Sequence, residues 1–283
     1  MGYLSLLSRF CPCLPCVHVP LAPKGVQLPD LTVMPLHDGD NVPRFPPGTP
    51  TGPSVSKPVR IVVISDTHGH HAELEPLPAG DVLIHAGDFS VYHKACTAES
   101  VKAFDEWLGR QTQYKHRFVT CGNHEVALDV SGRDPPPLKN ATWLHCSHAD
   151  AEGLRIFGAP FRPGRGSCYK AEAFGRKVCE LEAIWSRMGD GGRPDIVVTH
   201  GPPYGVLDEE RTGHMGDWVL LEWIGKVRPQ VHVFGHVHGT HGARLWTPSK
   251  DESVAFINAS TLDGRNGLNP PVVFDITPRG SKV

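Results

Sequence analysis

Eight runs of mostly β-branched and other apolar residues punctuate the chain from Val59 onward, and they restrict it to a fold built around sheet. They are Val59 to Ser65, Val82 to Ala86, Phe118 to Cys121, Leu154 to Gly158, Ile196 to Thr199, Val231 to Phe234, Val254 to Ile257 and Val272 to Phe274. Strands that are apolar at consecutive positions are covered on both faces. Amphipathic stretches lie between them. Val101, Phe104, Trp107 and Leu108 share one helical face behind a Thr97 cap. Ala171, Phe174, Val178, Leu181 and Trp185 do the same over a longer stretch, and Asp217 is placed to cap a third helix carrying Leu220, Leu221 and Ile224. The aromatic residues on these stripes read as core. Such alternation predicts an α/β fold with helices on the sheet faces. The strands after Phe234 are spaced too closely for crossover helices throughout, so mixed or two stacked sheets are predicted rather than one parallel sheet.

Before Val59 the pattern changes. Residues from about Pro20 to Lys57 are rich in proline and glycine, and Pro43, Pro46, Pro47, Pro50, Pro53 and Pro58 disfavour helix. Residues 1–57 read as a flexible Pro/Gly-rich segment, either a linker or an extended strap, ahead of a domain over 58–278.

Short clusters of metal-ligating residues follow the apolar runs: Asp66-Thr67-His68, Gly87-Asp88, Gly122-Asn123-His124, Thr199-His200 and Gly235-His236-Val237-His238. Singly, each is the composition of an ordinary turn. Together they are five in order, each at the carboxyl end of a predicted strand, where α/β folds gather their sites. Asp66 and His68, two apart at a strand end, are expected to face one way, as are His236 and His238. Imidazole and carboxylate donors suit Mn, Fe or Zn rather than Ca or a structural thiolate zinc.

The rest of the sequence narrows the partners. A net charge of -2 gives no basic excess, which argues against long nucleic acid as a partner. A small anionic phosphoester needs only local positive charge, which metal ions supply. The eight cysteines form no disulfide framework; reduced thiols in a cytoplasmic protein are expected, with Cys121 a small core residue. No apolar stretch reaches the roughly 18 residues of a membrane span. Cys11, Cys13 and Cys16 follow a start that misses the myristoylation pattern, with Leu6 where Ser or Thr is required. They leave two readings, weak membrane association through palmitoylation or an inert terminus. Oligomeric state is not legible.

On Asp66-x-His68, Gly87-Asp88, Gly122-Asn123-His124, Thr199-His200-Gly201 and Gly235-His236-Val237-His238, the chain resembles the calcineurin-like metallophosphoesterase superfamily over about residues 59 to 275. The resemblance implies a four-layer αββα sandwich with two mixed β-sheets and two divalent ions, Mn being the one expected to support activity in vitro. Carried over, Asp66, His68 and His238 would hold the first ion, Asn123, His200 and His236 the second, and Asp88 would bridge them. His124 would face the substrate and protonate the leaving group while a metal-bridging hydroxide attacks phosphorus.

Departures narrow the branch. Gly87-Asp88-Phe89-Ser90-Val91-Tyr92-His93 lacks the Asp-Arg pair of serine/threonine phosphatases, and Val91 stands where purple acid phosphatases carry a tyrosine ligand. Ile64 to His68, Gly87-Asp88-Phe89, Thr199 to Pro203 and Asn258-Ala259-Ser260 look closest to the small metallophosphoesterase-domain proteins of the fetal-brain type. That branch implies phosphodiesterase activity, with cyclic nucleotides among the substrates. One animal type has lost the first histidine of Gly-His-x-His; His236 is present here. The alternatives are a phosphomonoesterase and a scaffold that keeps the fold without catalysis. His70, His71 and His241 are the remaining histidines nearest the motifs, Arg162 and Arg165 are candidates for phosphate contact, and the residue that orients His124 is unidentified.

Overall fold

Thr97 is the residue at which an extended stretch turns into helix. Its side chain accepts from Ser100 N at 3.2 Å, and Ser100 Oγ in turn accepts from Thr97 N at 2.9 Å. The helix that follows, α1 (Ala98–Arg110), buries Val101, Phe104, Trp107 and Leu108, the predicted face. In the third predicted helix Asp217 accepts from Val219 N at 2.8 Å and caps α3 (Trp218–Val227). The second helix is shorter than predicted: α2 is Val178–Ser186. Phe174 lies outside it, in a turn at φ 59°, because its N–H and C=O are spent on Asp129 and Arg162. Non-local pairing there overrides helical periodicity. Ala171 falls outside the described residues, which in this computed structural model are 26, 28–36, 43–45, 57–91, 96–129, 138–164, 173–211, 213–250, 252–265 and 267–279. Cys11, Cys13, Cys16 and Arg165 fall outside them as well.

The strands, in chain order, are β1 (Leu31–Met34), β2 (Arg44–Phe45), β3 (Val59–Ile64), β4 (Val82–His85), β5 (His116–Val119), β6 (Thr142–Trp143), β7 (Ser147–Ala151), β8 (Leu154–Ala159), β9 (Arg162–Pro163), β10 (Gly175–Arg176), β11 (Ile196–Thr199), β12 (Glu209–Glu210), β13 (Gly213–His214), β14 (Val231–Phe234), β15 (Gly242–Ser249), β16 (Glu252–Asn258) and β17 (Val272–Ile276). Six form one sheet in the order β2-β17-β3-β4-β5-β6 and seven another in the order β1-β15-β16-β14-β11-β8-β7. Both are mixed. β3, β4 and β5 run parallel while β17 is antiparallel to β3. β8, β11, β14 and β16 run parallel while β7 and β15 are antiparallel to their neighbours.

Period-two alternation builds the layers. Ile61 and Val63 join Ile156, Val198, Val233 and Ile257 in the core between the sheets. Val62 and Ile64, one residue out of phase, join Phe104, Trp107 and Leu108 of α1 on the outer face. Across the second sheet, Phe157, Val197 and Phe256 meet Leu181, Trp185, Leu220 and Ile224 of α2 and α3. The result is the expected αββα order. Each buried Val or Ile contributes about 1.5–3 kcal/mol, so the register that aims the strand ends is held over their whole length.

Within the Pro-rich segment, β1 pairs antiparallel with β15 and β2 pairs parallel with β17, one on each sheet. Leu28, just before β1, packs on the backbone of Gly205. Among the described residues, no helix is long and apolar enough to cross a membrane.

Candidate metal centre

The parallel strands of both sheets end at one rim, and every predicted ligand follows such an end. Asp66 and His68 follow β3, Asp88 follows β4, Asn123 and His124 follow β5, His200 follows β11, and His236 and His238 follow β14. Convergence is not by strand alternation, as the sequence suggested for Asp66-x-His68. The strand stops at Ile64, and Asp66 and His68 both lie in the left-handed region, at φ 52° and 43°. Asp88 at φ 55° and His236 at φ 71° do the same. Backbone of this kind costs about 1–3 kcal/mol per non-glycine residue and persists only where its surroundings enforce it.

Three donor groups result, each with its ligating atoms within 4.8 Å of one another: Asp66, His68 and His238; His68, Asp88 and His124; Asp88, His200 and His236. Asn123 Oδ1 adds an amide oxygen 3.0 Å from His200 Nε2. Asp88 Oδ2 lies 3.2 Å from His200 Nε2 and 3.8 Å from His68 Nε2. Asp66 Oδ1 lies 3.3 Å from His238 Nε2. His124 packs edge-on against His68 at 4.7 Å, and its backbone N–H donates to Asp88 Oδ1 at 2.8 Å.

The donors fit divalent ions. His68 Nδ1–H donates to Ser90 O at 3.2 Å and His200 Nδ1–H to Ala86 O at 3.0 Å, which turns each Nε2 toward Asp88. A Cβ on Gly122 would overlap Asp88 Oδ1, and one on Gly235 would overlap Asp66 Oδ2, so the backbone is drawn against the carboxylates too closely for a side chain. Charges confirm the density of the cluster. Burial opposes ionisation of Asp88, yet the adjacent His200 holds its carboxyl well below the usual range. Burial likewise lowers His200, but Asp88 outweighs it and lifts the imidazole to about 9. Without cations a protonated imidazole balances the carboxylates; cations would replace it.

The sequence profile of the calcineurin-like phosphoesterases matches residues 59–240, a stretch that contains all of these groups. The chain belongs to the calcineurin-like phosphoesterase family. It is 33% identical over 251 residues to human metallophosphoesterase domain-containing protein 1, covering 78% of this chain and 72% of that protein. A UPF0046 protein of Caenorhabditis elegans is 30% identical over 234 residues, covering 77% and 75%. Among solved structures, TT1561 of Thermus thermophilus superposes with a TM-score of 0.50 at 13% identity, covering 72% of this chain and 92% of that one, a likeness of fold. As a member of this family the chain is a metal-dependent phosphoester hydrolase.

Other groups support the ligands that the motifs alone do not reveal. Glu125, fully buried, accepts from Asp88 N at 2.9 Å, Ser90 N at 2.9 Å and Gly122 N at 2.7 Å. Burial, and then the charge of Asp88, push its carboxyl up to about 7. Ser260 Oγ donates to Asp66 Oδ2 at 3.0 Å, and Asn258 Oδ1 accepts from Ser260 N while its Nδ2 donates to Val237 O. Two buried histidines, His85 and His232, bond to threonines beside the ligands. A polar ring inside an otherwise apolar run, as in Val82-Leu83-Ile84-His85 and Val231-His232-Val233-Phe234, was the available signal.

Of the remaining candidates, His70 and His71 lie apart, while Arg162 lies near enough to His236 for its charge to add to the burial that lowers that imidazole's pKa. His70 pairs with Glu73 at the surface, and His71 packs on Phe104 and Trp107 of α1. Arg162 is 4% exposed and packs beneath Gly201, with Nη1–H donating to Pro163 O at 3.2 Å.

Proposed function

We propose that the chain hydrolyses phosphodiesters, cyclic nucleotides among them, at a two-ion centre. The observation that carries this reading is the sharing of donors: Asp88 belongs both to the group with His68 and to the group with His200 and His236. In this reading Asp66, His68 and His238 would hold one ion, Asn123, His200 and His236 would hold the other, and Asp88 would serve both. Two ions held there would supply Lewis acidity to a phosphoryl group and lower the pKa of water in the site.

The side chains do the rest. Ser90 O and Ala86 O fix the rings of His68 and His200, so the ligands need no reorganisation as charge develops. His124 lies beside Asp88 without being needed to complete either ligand set, which suits it to donate a proton to the leaving oxygen. Burial holds its pKa below the usual imidazole value, and an anionic phosphoester beside it acts in the opposite direction. The likeness of Ile64 to His68, Gly87-Asp88-Phe89, Thr199 to Pro203 and Asn258-Ala259-Ser260 to the small metallophosphoesterase-domain branch supports the diester over the monoester.

The test is a screen of purified protein with added Mn against cyclic nucleotides, a nitrophenyl diester and a nitrophenyl monoester. Hydrolysis of diesters with higher kcat/KM than the monoester is expected; a preference for the monoester overturns the diester reading, and a protein that retains no Mn overturns the metal reading. His124→Ala should slow a substrate with a poor leaving group about 10²–10⁴-fold and a nitrophenyl ester far less.

A further inference from the structure

His85 and His232 are both fully buried, one in each sheet. His85 ends β4, beside β3, and its Nε2 lies 2.9 Å from Oγ1 of Thr67, the residue between Asp66 and His68. His232 lies on β14, beside β11, and its Nε2 lies 2.9 Å from Oγ1 of Thr199, the residue before His200. The protons can be assigned. Gly87 N–H donates to His85 Nδ1 at 3.2 Å, so Nδ1 is the acceptor and Nε2–H donates to Thr67. Thr199 spends its own hydrogen on Gly201 O at 2.7 Å, so His232 Nε2–H donates to Thr199. Each imidazole therefore spans two adjacent parallel strands that both lead to ligands: β3 and β4 lead to Asp66, His68 and Asp88, and β11 and β14 lead to His200 and His236.

We infer that His85 and His232 are positioning residues, a matched pair of cross-strand ties that set the spacing of the ligands, His85 for the ion held by Asp66 and His68 and His232 for the ion held by His200 and His236. The strained backbone supplies the reason. Thr67 stands between two left-handed residues, and His236 at the end of the second pair of strands is left-handed as well. A buried hydrogen bond with one satisfying geometry rigidifies such a turn, where an apolar contact would let it slide. The inference rests on the two-ion reading proposed above.

The experiment compares full-length wild type with His85→Leu, His85→Gln, His232→Leu and His232→Gln. Mn titration by calorimetry gives an affinity for each ion, and thermal denaturation of the metal-free protein runs in parallel. Leucine fills the space without a donor; glutamine restores a donor near Nε2. Each Leu variant should weaken its own ion about 10–100-fold and the other ion less, through the shared Asp88, with the Gln variants regaining most of the loss. Wild type that binds no Mn defeats the two-ion reading. Wild type that binds two, with Leu variants unchanged or losing both ions in step with their melting temperature, defeats the present inference alone. Should a Leu variant fail to fold, Thr67→Val and Thr199→Val remove the same bonds from the other side and carry the same expectations.

Discussion

One carboxylate oxygen of Glu125, Oε2, accepts from both Asp88 N at 2.9 Å and Gly122 N at 2.7 Å, and so ties the loop that carries the shared aspartate to the loop that carries Asn123 and His124. The other oxygen takes Ser90 N, whose carbonyl orients His68. Glu125→Ala leaves three buried N–H groups without an acceptor, at about 1–3 kcal/mol each. Metal content measured by elemental analysis should fall below one ion per chain, with a clear drop in melting temperature. Glu125→Gln should lie between, since one of its two terminal atoms still accepts.

The glycines against the carboxylates make a sharper prediction. A methyl group at Gly122 collides with Asp88 and lies 2.6 Å from His200 Cε1; one at Gly235 collides with Asp66 and Ser65. Gly122→Ala and Gly235→Ala should therefore lose metal and activity together while costing the fold only about 1–3 kcal/mol. Circular dichroism with metal analysis of each variant checks this, and retention of two ions by either refutes the close approach.

Acid stability follows from the buried rings. Burial drives His85 and His232 from 6.5 down to about 3. The unfolded chain takes up protons below pH 6.5 that the native rings refuse, so stability is lost as the pH falls from 6.5 toward 3. At pH 5 the loss is about 2 kcal/mol for each ring. Urea denaturation of the metal-free protein at pH 7.5 and 5.0 should show the His85→Gln/His232→Gln double variant losing about 4 kcal/mol less than wild type over that interval.

A stability change that spares the site is expected at Asp217. It caps α3 through Val219 N and accepts from Trp185 Nε1 at 2.7 Å, joining α2 to α3. Asp217→Ala removes a cap and orphans a buried indole N–H, together about 2–4 kcal/mol. Mn affinity should not move; if it does, the helices and the site are coupled more tightly than the layers suggest.

Shared ligation is tested by Asp88→Asn. Losing one negative charge in two donor groups at once should lower occupancy at both positions, not one, and activity by at least about 10²-fold. Elemental analysis showing wild-type metal content would refute the shared role.

What could be read in the sequence followed one physical rule. The donor residues sat at the ends of runs whose burial was obvious, so β3, β4, β5, β11 and β14 and the candidate ligands that follow them were legible together. Strands defined by pairing rather than composition were not: β7, with Ser147 to Ala151, and β15, with Gly242 to Ser249, lack the apolar runs that marked the others. The manner of convergence was hidden too. Alternation along a strand predicted the right neighbours at Asp66 and His68 for a reason the backbone does not use, since left-handed turns are enforced by contacts from other elements. Glu125 carries no such mark in the sequence: the chain turns at Asn123 and His124, and only that turn brings its carboxylate back beneath Asp88.

β1 and β2 each cap the outermost hydrogen-bonding row of a different sheet. A proteolytic nick that removed both would bare two unsatisfied strand flanks on one body, on β15 and β17. Bare flanks of this sort template intermolecular pairing, so such a clipped form would be vulnerable to self-association even with every ligand in its place.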